Sequence, residues 1–267
     1  MKIGLSTYAF FWQWSELANK KLSLKEMMNE TKKYGGDVFQ ICDYPAIEEM
    51  NDEELADIAS YARSLGLELE LGTRGIHPAI LKRYLALAKK LNVPMLRSMY
   101  FSKDFTPANL DQAVQWIEEV LEDFQQAGVT LGLETYEQIK TDQLVDLIKR
   151  IDQPYVGICL DPANTVASLE LPKDVIDKTA SYVVNLHVKD FAFTRNQGWV
   201  GFYYSGAPLG KGLLDFNYMY RTVLNKSKKE FNTIIELWVN FEETIEKTIQ
   251  VEKEWIETSM DYVRRNR

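Results

Sequence analysis

Short β-rich runs alternate with longer amphipathic runs along this chain, and the cycle repeats eight times. Strands are expected at Lys2–Tyr8, Asp37–Cys42, Leu67–Gly72, Pro94–Met99, Val129–Thr135, Tyr155–Leu160, Val183–Val188 and Asn232–Leu237. Helices are expected at Leu24–Tyr34, Asn51–Leu65, Pro78–Leu91, Pro107–Ala127, Thr141–Ile151, Lys173–Tyr182 (the weakest), Phe216–Leu224 and Phe241–Arg264. Ser23 is placed to cap the first helix, Pro78 to open the third, and Gly35-Gly36, Gly66 and Gly128 to end three of them. Strict strand–helix alternation implies parallel pairing through right-handed crossovers. The 267 residues give about 33 per cycle, near the minimum for a βαβ step. An open doubly wound sheet would show a Gly-rich loop after its first strand, and Ser6-Thr7-Tyr8-Ala9-Phe10 is not one. The expectation is therefore an α/β protein, a closed (β/α)8 TIM barrel, with residues 1–267 as a single domain and no Pro/Gly/Ser-rich linker.

Composition narrows the chemistry. With 39 acidic and 31 basic side chains the net charge is −8, which argues against a nucleic-acid partner. Only two histidines exist, His77 and His187, so a site of three or more histidine ligands is excluded. Two distant cysteines, Cys42 and Cys159, suit neither a disulfide framework nor a thiolate metal site. No apolar stretch of 18 residues appears, and no membrane association is expected. The N-terminus carries no signal-peptide pattern, so a soluble, reduced, cytoplasmic protein is the plain reading.

In such a barrel the active site lies at the C-terminal ends of the strands. Strand five ends in Glu134, strand six in Asp161, strand seven in His187 and strand eight in Glu236. Each follows an apolar run that would bury it, and an isolated buried charge is expensive unless paired or metal-bound. Singly these residues could be a solvated loop start, a helix cap or a hydrogen-bonded core histidine. Four such ends on consecutive strands point to a metal site. Three carboxylates and one imidazole suit a hard divalent ion, Mn²⁺ ahead of Mg²⁺ or Co²⁺. An ion so placed polarises a carbonyl and stabilises the enediolate formed when a neighbouring carbon loses a proton.

Glu134, Asp161, His187 and Glu236, with the segments His187-Val188-Lys189-Asp190 and Gly210-Lys211-Gly212-Leu213-Leu214-Asp215-Phe216, resemble the xylose-isomerase-like TIM-barrel superfamily over essentially the whole chain. In its D-tagatose 3-epimerase type the two ligand glutamates also form the acid/base pair, which the resemblance carries to Glu134 and Glu236. Asn164 stands where the family often has the histidine of Asp-x-x-His. Endonuclease IV, a histidine-rich member, is excluded by the histidine count.

Other rim residues are candidates for substrate contact. Arg74 can grip an anion through two hydrogen bonds. His77 is either a loop histidine near a helix start or a substrate contact. Lys189 is either a surface lysine paired with Asp190 or, if the strand continues, on the same face as His187. Arg97 could point into the barrel or out of it. Trp12, within Tyr8–Trp14, and Trp199, Phe202, Tyr203 and Tyr204 could stack on a sugar. The stretch from Phe193 to Leu209 is long for a βα connection and reads as a functional loop. The resemblance implies a small-molecule carbohydrate substrate and a homodimer or homotetramer. Its leading implication is a sugar or sugar-acid isomerase or epimerase. The alternatives are a decarboxylase of a 3-oxo sugar acid, as in the 3-oxo-isoapionate decarboxylase group, and a lyase or dehydratase on an inosose or 3-keto sugar. A non-catalytic sugar-binding barrel is the remaining class.

Overall fold

The computed structural model describes residues 1–196, 198 and 200–267. Trp199, one of the expected rim aromatics, lies outside them. The strands are β1 (Ile3–Ser6), β2 (Val38–Cys42), β3 (Glu68–Gly72), β4 (Met95–Ser98), β5 (Thr130–Glu134), β6 (Val156–Leu160), β7 (Val183–Val188), β8 (Asp190–Arg195), β9 (Phe202–Ala207) and β10 (Asn232–Ile235). The helices are α1 (Phe11–Trp14), α2 (Leu24–Lys33), α3 (Asp52–Ser64), α4 (Pro78–Leu91), α5 (Leu110–Ala127), α6 (Thr141–Ile151), α7 (Pro162–Thr165), α8 (Pro172–Thr179), α9 (Phe216–Lys226) and α10 (Ile245–Asn266).

Eight strands close into a barrel in the order β1-β10-β7-β6-β5-β4-β3-β2, all paired in parallel. Strands β1, β2, β6 and β7 are buried at every position, as expected when helices cover the outer face and side chains fill the inner one. Close packing of β1 on β2 requires Gly4, because a Cβ there would lie 1.6 Å from the Val38 carbonyl oxygen. The interior below the site is polar and internally satisfied. Glu70 accepts from Gln40 Nε2 (2.9 Å), Asn185 Nδ2 (2.9 Å) and Asn232 Nδ2 (2.8 Å), and burial raises its pKa.

The expected helix caps form where the side chains allow. Ser23 and Glu26 make a reciprocal capping box on α2, and Asn51 with Glu54 does so on α3. Several boundaries differ, three of them for evident local reasons. The first strand stops at Ser6, whose Oγ accepts from Tyr8 N and turns Thr7–Phe10 into a 3₁₀ segment. The fourth helix starts at Leu110 because Asn109 caps it, and the last at Ile245 because Thr244 caps it. The long stretch after β7 is not an irregular loop. It is the antiparallel hairpin β8–β9, paired from Asp190–Ala207 to Arg195–Phe202.

A single carboxylate closes the base of this insertion. Asp190 Oδ1 accepts from Phe191 N (2.8 Å) and Leu214 N (2.9 Å), and Oδ2 from Gly210 N and Gly212 N (both 2.9 Å). Gly212 must lack a Cβ, which would lie 2.3 Å from Asp190 Oδ1. The Gly210–Phe216 segment is thus a cradle for Asp190 and an entry to α9. Among the described residues no helix is long and apolar enough to cross a membrane.

Candidate metal centre

Barrel geometry delivers the four expected ligands to one place. Glu134 is the last residue of β5 and His187 lies one from the end of β7. Asp161 and Glu236 directly follow β6 and β10. One donor atom from each lies within 4.8 Å of the others, and all four residues are buried. Asp161 also acts as the cap that the sequence allowed, its Oδ1 accepting from Ala163 N at the start of α7 (3.1 Å).

The donor set fits a cation. His187 has no hydrogen-bond partner on either ring nitrogen, although it is fully buried. Its Nδ1 is 3.5 Å from Glu236 Oε1 and 3.8 Å from Glu134 Oε1, beyond ordinary hydrogen-bond reach. Asp161 Oδ2 faces the ammonium of Lys189, with Nζ 2.7 Å away as an ion pair. Buried polar atoms left unpaired cost free energy unless something else meets them. A hard divalent ion bound by Glu134, Asp161, His187 and Glu236 would do so.

Each carboxylate also has fixed neighbours. Arg97, 3 % exposed, points inward and places Nε on Glu134 Oε2 while Nη1 donates to the Thr73 carbonyl (3.1 Å). Asn164 Nδ2 holds the other oxygen of Glu134 (2.6 Å). Glu236 accepts from Ser6 Oγ (3.1 Å) and from Lys189 Nζ (3.1 Å). Burial pushes Asp161 up to about 6, despite the nearby Lys189 ammonium. Burial acts in the same sense on Glu236, but His187 and Lys189 outweigh it and hold that carboxyl well below its usual range. For Lys189, burial favours the neutral amine, yet Asp161 and Glu236 raise its pKa and keep it an ammonium.

The substrate candidates separate. Lys189 is buried at the cluster, not paired with Asp190 on the surface. Its Nζ sits 4.3 Å from the Trp238 ring centroid. Trp238, Trp12, Tyr8, Phe11 and Tyr204 line a cavity of about 310 Å³ beside it. Trp12 is tied there through Nε1 to the Val239 carbonyl (2.7 Å). Arg74 is half-exposed, paired with Asp43 (3.1 Å) and donating to Tyr8 Oη (2.7 Å). Asp43 lies 3.5 Å from Arg97 as well, so Arg74 connects to Glu134 through three ion pairs. His77 is not brought to the cluster. It caps α4 through Nδ1 and stacks on Phe105 at 3.9 Å. Sequence reasoning missed Trp238, Ser6 and the grip of Asn164 on Glu134. Ser6 ends a barrel strand, the signal that found the other four.

Comparison with known proteins bears on the family and the fold. Residues 28–264 match the family described as xylose isomerase-like TIM barrel. The chain is 46 % identical over 263 residues to a 3-oxo-isoapionate decarboxylase of Pectobacterium atrosepticum, covering 98 % of this chain and 95 % of that one. Its fold resembles the D-psicose 3-epimerase of Clostridium cellulolyticum H10 with D-tagatose (TM-score 0.75, 17 % identity, 100 % and 99 % of the two chains). It also resembles a xylose isomerase-like TIM barrel protein of Mycobacterium smegmatis in complex with magnesium (TM-score 0.68, 15 % identity, 97 % of each chain).

Proposed function

This chain belongs to the xylose isomerase-like TIM barrel family, and from that premise we propose that it is a divalent-metal-dependent decarboxylase of a 3-oxo sugar acid. The observation that carries the reading is the pair of buried cations, Arg97 and Lys189, set among the three carboxylates and the imidazole. They make the site a better host for an anionic substrate than for a neutral ketose. The 46 % identity to a 3-oxo-isoapionate decarboxylase supports the same choice.

Glu134, Asp161, His187 and Glu236 would hold the ion, with manganese expected from the hard donor set. When bound, the ion supplies electrostatic stabilisation for the oxygen that gains negative charge. In a 3-oxo acid the bond from the α-carbon to the carboxylate breaks and its electron pair moves toward the keto oxygen. Carbon dioxide leaves, and the α-carbon then takes one proton. Arg74, held by Asp43 and Tyr8, offers a guanidinium at the mouth to the incoming acid. Trp12 and Trp238 present ring faces to the sugar carbons and exclude water. Glu236 is the residue that relays the proton, and because its own carboxyl is held ionised the proton comes to it from Lys189 Nζ, 3.1 Å away. Both glutamates have both oxygens engaged, but the Lys189 ammonium on Glu236 can give up a proton, whereas the Arg97 guanidinium on Glu134 cannot, so Glu134 serves as a fixed anion. An epimerase needs both glutamates to move protons, and this grip disfavours that leading sequence expectation. His77, engaged by α4 and Phe105, is given no role in this reading. Exposed Leu169, Leu171, Phe193 and Phe202 supply the apolar surface for the expected dimer or tetramer.

The test is direct. The Mn²⁺-loaded protein should release carbon dioxide from 3-oxo-isoapionate. Exchange of solvent deuterium into a ketose, with no carbon dioxide from any 3-oxo acid, would establish the epimerase instead.

A further inference from the structure

Lys189 brings a full positive charge into a site built for a cation. Its Nζ lies 2.7 Å from Asp161 Oδ2 and 3.1 Å from Glu236 Oε2, two of the four ligands. The side chain is 4 % exposed, and the Trp238 ring at 4.3 Å closes one flank of the ammonium. Lys189 therefore cannot move its charge into water when another cation joins the same carboxylates. Arg97 is placed differently, with Thr73 and Asp43 engaging its guanidinium away from Glu134.

We propose that Lys189 is an internal competitor of the metal: it neutralises Asp161 and Glu236 before the ion arrives and limits affinity for the ion afterwards. The inference rests on the metal reading given above. Three carboxylates against two fixed cations leave one negative charge in excess, and a divalent ion converts this to one positive. Two cations a few ångströms apart in a buried site repel with little screening. In return for that repulsion the loaded site carries a net positive charge for an anionic substrate.

The experiment is a Mn²⁺ titration of metal-free wild type and Lys189→Met, read by the electron paramagnetic resonance of free Mn²⁺, with thermal unfolding alongside. Lys189→Met keeps the side-chain length and removes the charge. It should bind Mn²⁺ at least tenfold more tightly, while its metal-free form melts at a lower temperature. Equal or weaker Mn²⁺ affinity in the variant, with wild type binding normally, overturns the proposal alone. A wild type that binds no divalent ion overturns the metal reading and the proposal with it. Should Lys189→Met not fold, the wild type still decides: saturation with diamagnetic Mg²⁺ should shift the ¹⁵N resonance of Lys189 Nζ, and an unmoved resonance overturns the competition.

Discussion

Replacing Arg97 by Met should destabilise the metal-free protein by about 3–5 kcal/mol, the cost of breaking a buried ion pair by removing one partner. The structure supports the upper part of that range. Glu134 has a fully buried side chain, and its other donor is the neutral amide of Asn164 at 2.6 Å. The Thr73 carbonyl also loses the donor it has in Arg97 Nη1 at 3.1 Å. In a chain of this size each kcal/mol moves the melting temperature by about 2–4 °C, so the expected drop is roughly 6–20 °C. Urea unfolding followed by circular dichroism gives the free energy, provided the transition is two-state. Arg74→Met is the internal control. Its side chain is 52 % exposed, so losing its pair with Asp43 should cost at most about 1 kcal/mol. Mn²⁺ should narrow the gap between Arg97→Met and wild type, because the ion returns positive charge to Glu134. An Arg97→Met loss no larger than that of Arg74→Met would refute the account of Glu134 as a buried anion held by one guanidinium.

Mn²⁺ at about 100 times its Kd should stabilise the wild type by about 2.7 kcal/mol, and His187→Gln should abolish that rise in scanning calorimetry. Glu252, buried on α10, is pushed by burial from its usual 4.5 to about 8, against hydrogen bonds from Trp12 and Gln13. Its raised pKa means that ionisation costs folded stability, so its contribution is full below about pH 4.5 and is lost as pH rises through about 8. Glu252→Gln should remove this loss, visible as a smaller difference between urea midpoints at pH 5 and pH 8.5. Gly4→Ala should lower expression or melting temperature sharply, since its Cβ would overlap the Val38 carbonyl; a near-wild-type melting curve would contradict the tight β1–β2 contact.

The four candidate ligands were readable because each ends an apolar strand, and a barrel sends every strand end to the same rim. The direction of Arg97 was not readable, because it depends on the stagger of neighbouring strands. It pairs opposite Gly72 on one side and Gly132 on the other, a register that local pattern does not contain. Lys189 was half-readable. Period two put it with His187, but β7 ends at Val188 and β8 begins at Asp190, so its inward aim depends on the site and not on strand regularity. The β8–β9 hairpin escaped because eight cycles were already complete and its strands pair with each other, outside the barrel count. His77 was readable as far as its place went: of the two readings its position after the third strand allowed, the loop histidine at a helix start fits the cap its Nδ1 makes on α4 and its stacking on Phe105.

The Asp190 carboxylate binds the N–H of Phe191, next to it in sequence, and those of Gly210, Gly212 and Leu214 some twenty residues later. The hairpin between those points is therefore a cassette with its own clasp. Lengthening a segment whose ends are already joined adds little closure entropy, which grows only with the logarithm of length. The tip can be rewritten, by descent or by design, without disturbing Lys189 on one side or α9 on the other. The barrel strands that carry Glu134, Asp161, His187 and Glu236 lie outside the clasped segment and need not change with it.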